Sequence, residues 1–202
     1  MDETEYNIEG EIERSIVEVV PLGRVDAVAC EVAAANIQAI LGLSSRRVAD
    51  WPTPDYAYLP ARNQHDAGPI LKALARDLEP PTLRLGITGL DLCLPILTYV
   101  YGEARIGGHT ALVSLYRLSR DALGNRVPQA LFFQRLAKVA VHETAHALGM
   151  EHCSAPLCLM HFSQGLRQLD ALNLEFCSEC LAGLSRERKR LFRSEGLPPS
   201  GQ

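Results

Sequence analysis

Three histidines and a glutamate crowd into one short stretch, His142-Glu143-Thr144-Ala145-His146-Ala147-Leu148-Gly149-Met150-Glu151-His152. Residues four apart lie on one face of a helix, so His142 and His146 can aim two imidazoles at a single ion. Glu143, adjacent on that face, reaches a water held by the ion. Gly149 follows His146 by three residues, where a left-handed backbone ends a helix and swings the chain round; glycine adopts that conformation without steric cost. The turn delivers His152 as a third ligand. Three protein ligands leave one tetrahedral position open for water, which is the mark of catalytic rather than structural zinc. The stretch therefore predicts a catalytic zinc centre on His142, His146 and His152, with Glu143 as general base.

A second ligand set lies just beyond. Cys153, Cys158, Cys177 and Cys180 offer four thiolates, and the closing Cys-x-x-Cys has the spacing of a zinc knuckle. Four sulfurs close a tetrahedron and leave no room for water, so the expected second zinc is structural, and the protein holds two Zn2+ ions. A redox pair at Cys177 and Cys180 is the rival reading of that spacing. Cys30 has no second ligand a turn away and Cys93 lies in a leucine-rich turn; both read as packed thiols.

Taken in order, HExxHxxGxxHC, CxxxxCxM and CxxC resemble the archaemetzincins, a family of metzincin zinc metalloproteases. The likeness extends upstream through Gly86-Ile87-Thr88, Asp91-Leu92, Pro95, Gly107-Gly108 and Val113-Ser114. Several expectations follow from the resemblance alone. The fold class is α/β, a metzincin-like mixed twisted sheet of about five strands with an active-site helix and a zinc-clamped C-terminal subdomain. Met160 is the methionine beneath the catalytic zinc. A peptide or protein substrate lies extended along an edge strand, Gly107 to Val113. Some metzincins use a tyrosine after the motif, and this chain has none there.

Composition sets the bounds. The 202 residues are 47% hydrophobic and 22% charged, with a net charge of -4, ordinary for a globular protein and unattractive to nucleic acid or anionic membrane. The basic run at Arg186 to Arg193 lacks aromatic stacking partners and reads as a solvated helix face. The start, Met1 to Tyr6, is acidic and unlike a secretory signal, and no apolar run is long enough to span a bilayer. A cytoplasmic location follows, with the cysteines reduced. The function predicted is a zinc-dependent metallopeptidase; the alternatives are a non-catalytic zinc-binding or adaptor protein and a nucleic-acid-binding zinc protein.

Positioning these residues requires a frame. Residues 15–20 form a β-branched run, broken by Pro21-Leu22-Gly23; apolar residues then recur at helical spacing over 25–43. A short strand at 46–49 precedes the proline-rich residues 51–56, and a second helix covers 67–78. His65, in the polar segment before it, reads as a solvated residue. Strands follow at 83–88, 97–102 and 110–116, the last two joined by a hairpin at 103–108; His109 beside it reads as an exposed hairpin residue, with a place in the cleft as the alternative. The β-α-β-α-β order predicts a largely parallel sheet with right-handed crossovers. Pro128 opens the active-site helix, packed through Leu131, Phe132, Leu136, Val139 and Ala140. Residues 163–174 give no clear pattern, and a final helix covers 179–192. The domain organisation expected is one catalytic domain over 1–202: an upper part at 13–149, a zinc-bound lower part at 150–193, and frayed ends at 1–12 and 194–202.

Overall fold

The computed structural model describes residues 16–193; the expectations for 1–12 and 194–202 fall outside the described residues. Its frame is a five-stranded sheet in the order β2-β1-β5-β9-β8, made of β1 (Ile16–Leu22), β2 (Ser44–Arg47), β5 (Leu83–Thr88), β8 (Gly102–Ala104) and β9 (Thr110–Ser114). The first four in that order run parallel; β8 pairs antiparallel with β9.

Alternation along each strand decides what covers the sheet. Val17 and Val19, Leu83, Leu85 and Ile87, and Ala111 and Val113 face one way and join one core cluster. Two helices cover that face, α1 (Ala27–Leu41) and the active-site helix α4 (Gln129–Leu148). Val20, Leu22 and Leu112 face the other way, against α2 (Ala67–Leu74). The alternation places Glu18 and Arg84 as cross-strand partners, and they form an ion pair at 2.9 Å.

A second sheet, β3-β4-β6-β7, lies beside α2 and was not expected. Its strands β3 (Tyr58–Leu59), β4 (Gln64–Asp66), β6 (Leu92–Leu94) and β7 (Leu97–Val100) are short. Arg62 ties it together, donating to the carbonyls of Leu94, Leu97 and Thr98. His65 is a buried residue of β4, its ring 5.1 Å from that of Tyr58, rather than a solvated loop residue. Cys93 is buried in β6 rather than in a turn.

Other boundaries also differ. β1 runs through Pro21 because its ladder to β2 stops at Val19 opposite Arg47, so the missing N–H breaks no strand bond on that side. The expected strand at 97–102 divides at Tyr101, with β7 in the second sheet and β8 in the first. Residues 115–118 turn into a short helix α3 (Leu115–Leu118) capped by Ser114. The chain closes with α5 (Leu166–Ala171), in the segment without a sequence pattern, and α6 (Ser178–Arg193).

The edge of the main sheet is corrected most consequentially. β9 is paired on both sides, by β5 and β8, so Gly107 to Val113 is loop or interior strand, and the edge on that side of the sheet is Gly102–Ala104.

Candidate active site and metal centres

The motif lies at the C-terminal end of α4, a helix buried on nearly all sides from Arg135 to Leu148. Gly149 ends it with φ of 122°, a conformation that side chains disfavour, and the Met150 amide donates back to the Ala145 carbonyl at 2.9 Å. The loop between β8 and β9 ties down the same end: the Gly107 and His109 amides donate to the carbonyls of His146 and Ala147 at 2.9 and 3.2 Å. His109 thus fixes the helix end and is absent from the cleft lining.

The ligand atoms of His142, His146 and His152 all lie within 4.8 Å of one another. Nδ1 of His142 donates to the Leu159 carbonyl and Nδ1 of His146 to the Met150 carbonyl, each at 2.7 Å. A carbonyl only accepts, so both Nδ1 atoms carry the proton and both Nε2 atoms of the neutral rings are bare lone pairs. Those lone pairs face each other at 3.0 Å, and Nε2 of His152 stands 3.2 Å from that of His146. Lone pairs so arranged repel unless a cation lies between them, and nitrogens around tetrahedral zinc are ~3.3 Å apart. The donor set fits zinc. Burial, and then the neighbouring His146, push the His142 pKa down to about 3; His146 and His152 are lowered chiefly by burial. Each shift favours the neutral imidazole, the form able to bind a metal ion.

Glu143 is buried under β8, where the absence of a side chain at Gly102 makes space for it: a Cβ there would come within 2.5 Å of its Cγ. Burial, and then the charge of Glu103, raise its pKa well above the ordinary carboxylate value. Both residues open onto a cleft of about 490 Å³, whose walls include Leu97 to Ala104, the three histidines, Leu159 and Phe162.

The four thiols converge as well, their Sγ atoms also within 4.8 Å of one another. Cys153 and Cys177 sulfurs are 3.7 Å apart, against ~3.8 Å for two thiolates on tetrahedral zinc. Amides of Ala155 and Cys177 donate to the sulfurs of Cys153 and Cys158 at 3.4 Å. A backbone hydrogen bond from Cys180 leads in lowering the Cys177 pKa to about 7, while burial raises that of Cys180. The loop between the sites is closed by Cys153 N–H on the Met160 carbonyl at 2.8 Å and by His161 Nδ1 on the Cys153 carbonyl at 3.0 Å. Met160 is fully buried in the main core.

The profile of peptidase family M54 matches residues 77–186. The archaemetzincin of Pyrococcus furiosus is 32% identical over 88% of this chain and 96% of its own length. The chain belongs to peptidase family M54. The archaemetzincin of Haloarcula marismortui is 33% identical over 81% of the chain and 96% of its own. Among solved structures, the archaemetzincin of Methanopyrus kandleri aligns with a TM-score of 0.75 at 30% identity, covering 87% of this chain and 96% of that one. That of Archaeoglobus fulgidus, complexed with malonate, gives 0.72 at 31%, covering 83% and 98%. This M54 chain is accordingly a zinc-dependent metallopeptidase, with peptides or proteins as its substrate class. No helix among the described residues is long and apolar enough to cross a membrane.

Sequence reasoning missed Gly102, Glu103, Lys138 and His161, which bear on the M54 cleft from outside the motif. Only Lys138 left a signal: it precedes His142 by one helical turn and so shares its face.

Proposed function

We propose that His142, His146 and His152 hold the catalytic zinc of this peptidase and that Glu143 is its general base. The observation that carries the assignment is the pair of bare Nε2 lone pairs, fixed by Nδ1 bonds to Leu159 and Met150, beside a buried carboxylate. Zinc held there would supply Lewis-acid polarisation of the scissile carbonyl and would make a water more acidic. Glu143 takes the proton of the attacking water and returns it to the leaving amine. Leu159 and Met150 hold two imidazoles in one tautomer and orientation throughout.

The substrate lies extended along the edge strand β8, Gly102–Ala104, adding a strand by main-chain hydrogen bonds. Cys153, Cys158, Cys177 and Cys180 hold a second, structural zinc that clamps the loop bearing His152 and Met160. Residues 16–149 and 150–193 work as upper and lower parts of one catalytic domain. Thiolate ligands persist best in a reducing compartment, so a cytoplasmic setting belongs to the same reading. The test is Glu143→Ala: hydrolysis of a peptide library should fall by at least ~10²-fold, with zinc content unchanged. Near-wild-type turnover at full zinc content would refute the role of Glu143.

A further inference from the structure

The cleft contains a charged side chain that this mechanism does not use. Lys138 lies one turn before His142 on α4, lines the cleft, and is only 8% exposed. Its ammonium donates to the main-chain carbonyls of Leu169 at 3.0 Å and Asp170 at 2.9 Å, near the end of α5. An ammonium has three N–H donors, so one remains. Both acceptors are neutral, and no carboxylate among the described residues pairs with Lys138. The Asp170 carboxylate is engaged with Arg135, one oxygen on each of two guanidinium nitrogens at 2.7 Å.

A buried cation facing neutral acceptors alone is an energetically poor arrangement. Burial pushes the Lys138 pKa down, an effect opposed by the charge of Asp170 and reinforced by that of Arg135. A second donor on the cleft wall is idle as well: the Ser163 hydroxyl is buried with no hydrogen-bond partner among the described residues. The lining of the same cleft also includes the apolar side chains of Val139, Leu159, Leu169 and Leu172. Apolar walls with few polar groups strengthen whatever charge pairing forms inside.

We propose that Lys138 is a specificity residue that receives a carboxylate of the peptide substrate, so that the enzyme selects peptides with an acidic side chain or a free C-terminal carboxylate near the scissile bond. A carboxylate offers the remaining ammonium N–H the charged acceptor that the two carbonyls do not supply. The proposal rests on the peptidase reading of the cleft.

Binding is measured on the zinc-loaded Glu143→Ala protein, with acetylated and amidated octapeptides in which one Glu moves through every position, each paired with its Gln counterpart. A further set carries neutral side chains and a free C-terminal carboxylate. At one position, or for the free terminus, the carboxylate should tighten binding by ~10-fold or more. The same ratio should appear in kcat/KM with Glu143 intact. Lys138→Met should abolish the ratio, as should Lys138→Gln, which keeps a donor for the Leu169 and Asp170 carbonyls and so guards against loss of the fold. A gain confined to amidated Glu peptides identifies an acidic side chain as the ligand; one confined to the free terminus identifies the C-terminal carboxylate. Equal binding of every pair by the folded protein, or a ratio that survives in Lys138→Gln, would overturn the proposal. Lys138-dependent binding without hydrolysis by the zinc-loaded, Glu143-intact protein would instead overturn the peptidase reading while leaving the carboxylate site standing.

Discussion

Replacing Gly102 by alanine tests whether the position of Glu143 is set from β8. The new Cβ would lie 2.5 Å from Glu143 Cγ, 2.8 Å from Oε1 and 2.9 Å from Cδ. Carbon atoms in comfortable contact are ~3.5 Å apart or more, so the carboxylate or the strand must shift by about 1 Å. Misplacing a catalytic group by that much costs ~10²-fold in rate, and overpacking a buried site costs ~1–3 kcal/mol of stability. Gly102→Ala should therefore lower kcat by ~10²-fold with zinc content unchanged, and lower the melting temperature as well. The clash is with one side chain, so the stability loss should largely vanish when Gly102→Ala is made in a Glu143→Ala background. Wild-type kcat in Gly102→Ala, or an equal melting-temperature loss in both backgrounds, would refute the argument.

Three further outcomes are expected. Purified under conditions that prevent chelation and oxidation, the protein should contain close to two zinc ions per chain, and elemental analysis giving one would remove the cysteine site from the assignment. Cys177→Ser with Cys180→Ser should weaken zinc binding at the histidines and lower the melting temperature, because Cys153 holds the Met160 carbonyl one residue beyond His152. A chelator competition that left both quantities at wild-type values would make the cluster a bystander. For metal-free protein, the lowered histidine pKa values mean that the folded chain binds fewer protons than the unfolded one between about 3, the His142 value, and ~6.5. The His142 contribution is complete above ~pH 6.5 and is lost as pH falls toward 3. Glu143 and Glu103, raised chiefly by burial, act in the opposite sense. The histidine part is therefore the difference between wild type and His142→Gln, which should change as pH falls from 7.5 to 4.5; a flat difference would contradict it.

What could be read from sequence was whatever is local. The ligand motif sits on one helix and one turn, so spacing alone brought His142, His146 and His152 to the same place as the structure does. β5 was legible to the residue, because a buried parallel strand is a short apolar run with sharp ends. The second sheet was not, since β3 and β4 have two and three residues, too few for any period to show. The change of sheet at Tyr101 was hidden for another reason. Leu97 to Gly102 is one continuous run by propensity, and only pairing partners distant in sequence separate β7 from β8. The same blindness misplaced the sheet edge and concealed Gly102, whose smallness matters only because Glu143 packs against it.

The brevity of that edge has a consequence beyond catalysis. Any strand border open to a peptide is equally open to an extended segment of another molecule, which is how aggregates begin. β8 offers only three residues, with Glu103 at its centre. Two copies meeting border to border in antiparallel fashion would set Glu103 against Glu103, and like charges opposite each other destabilise a strand pair. The border proposed to receive substrate strands is thereby made a poor template for its own kind.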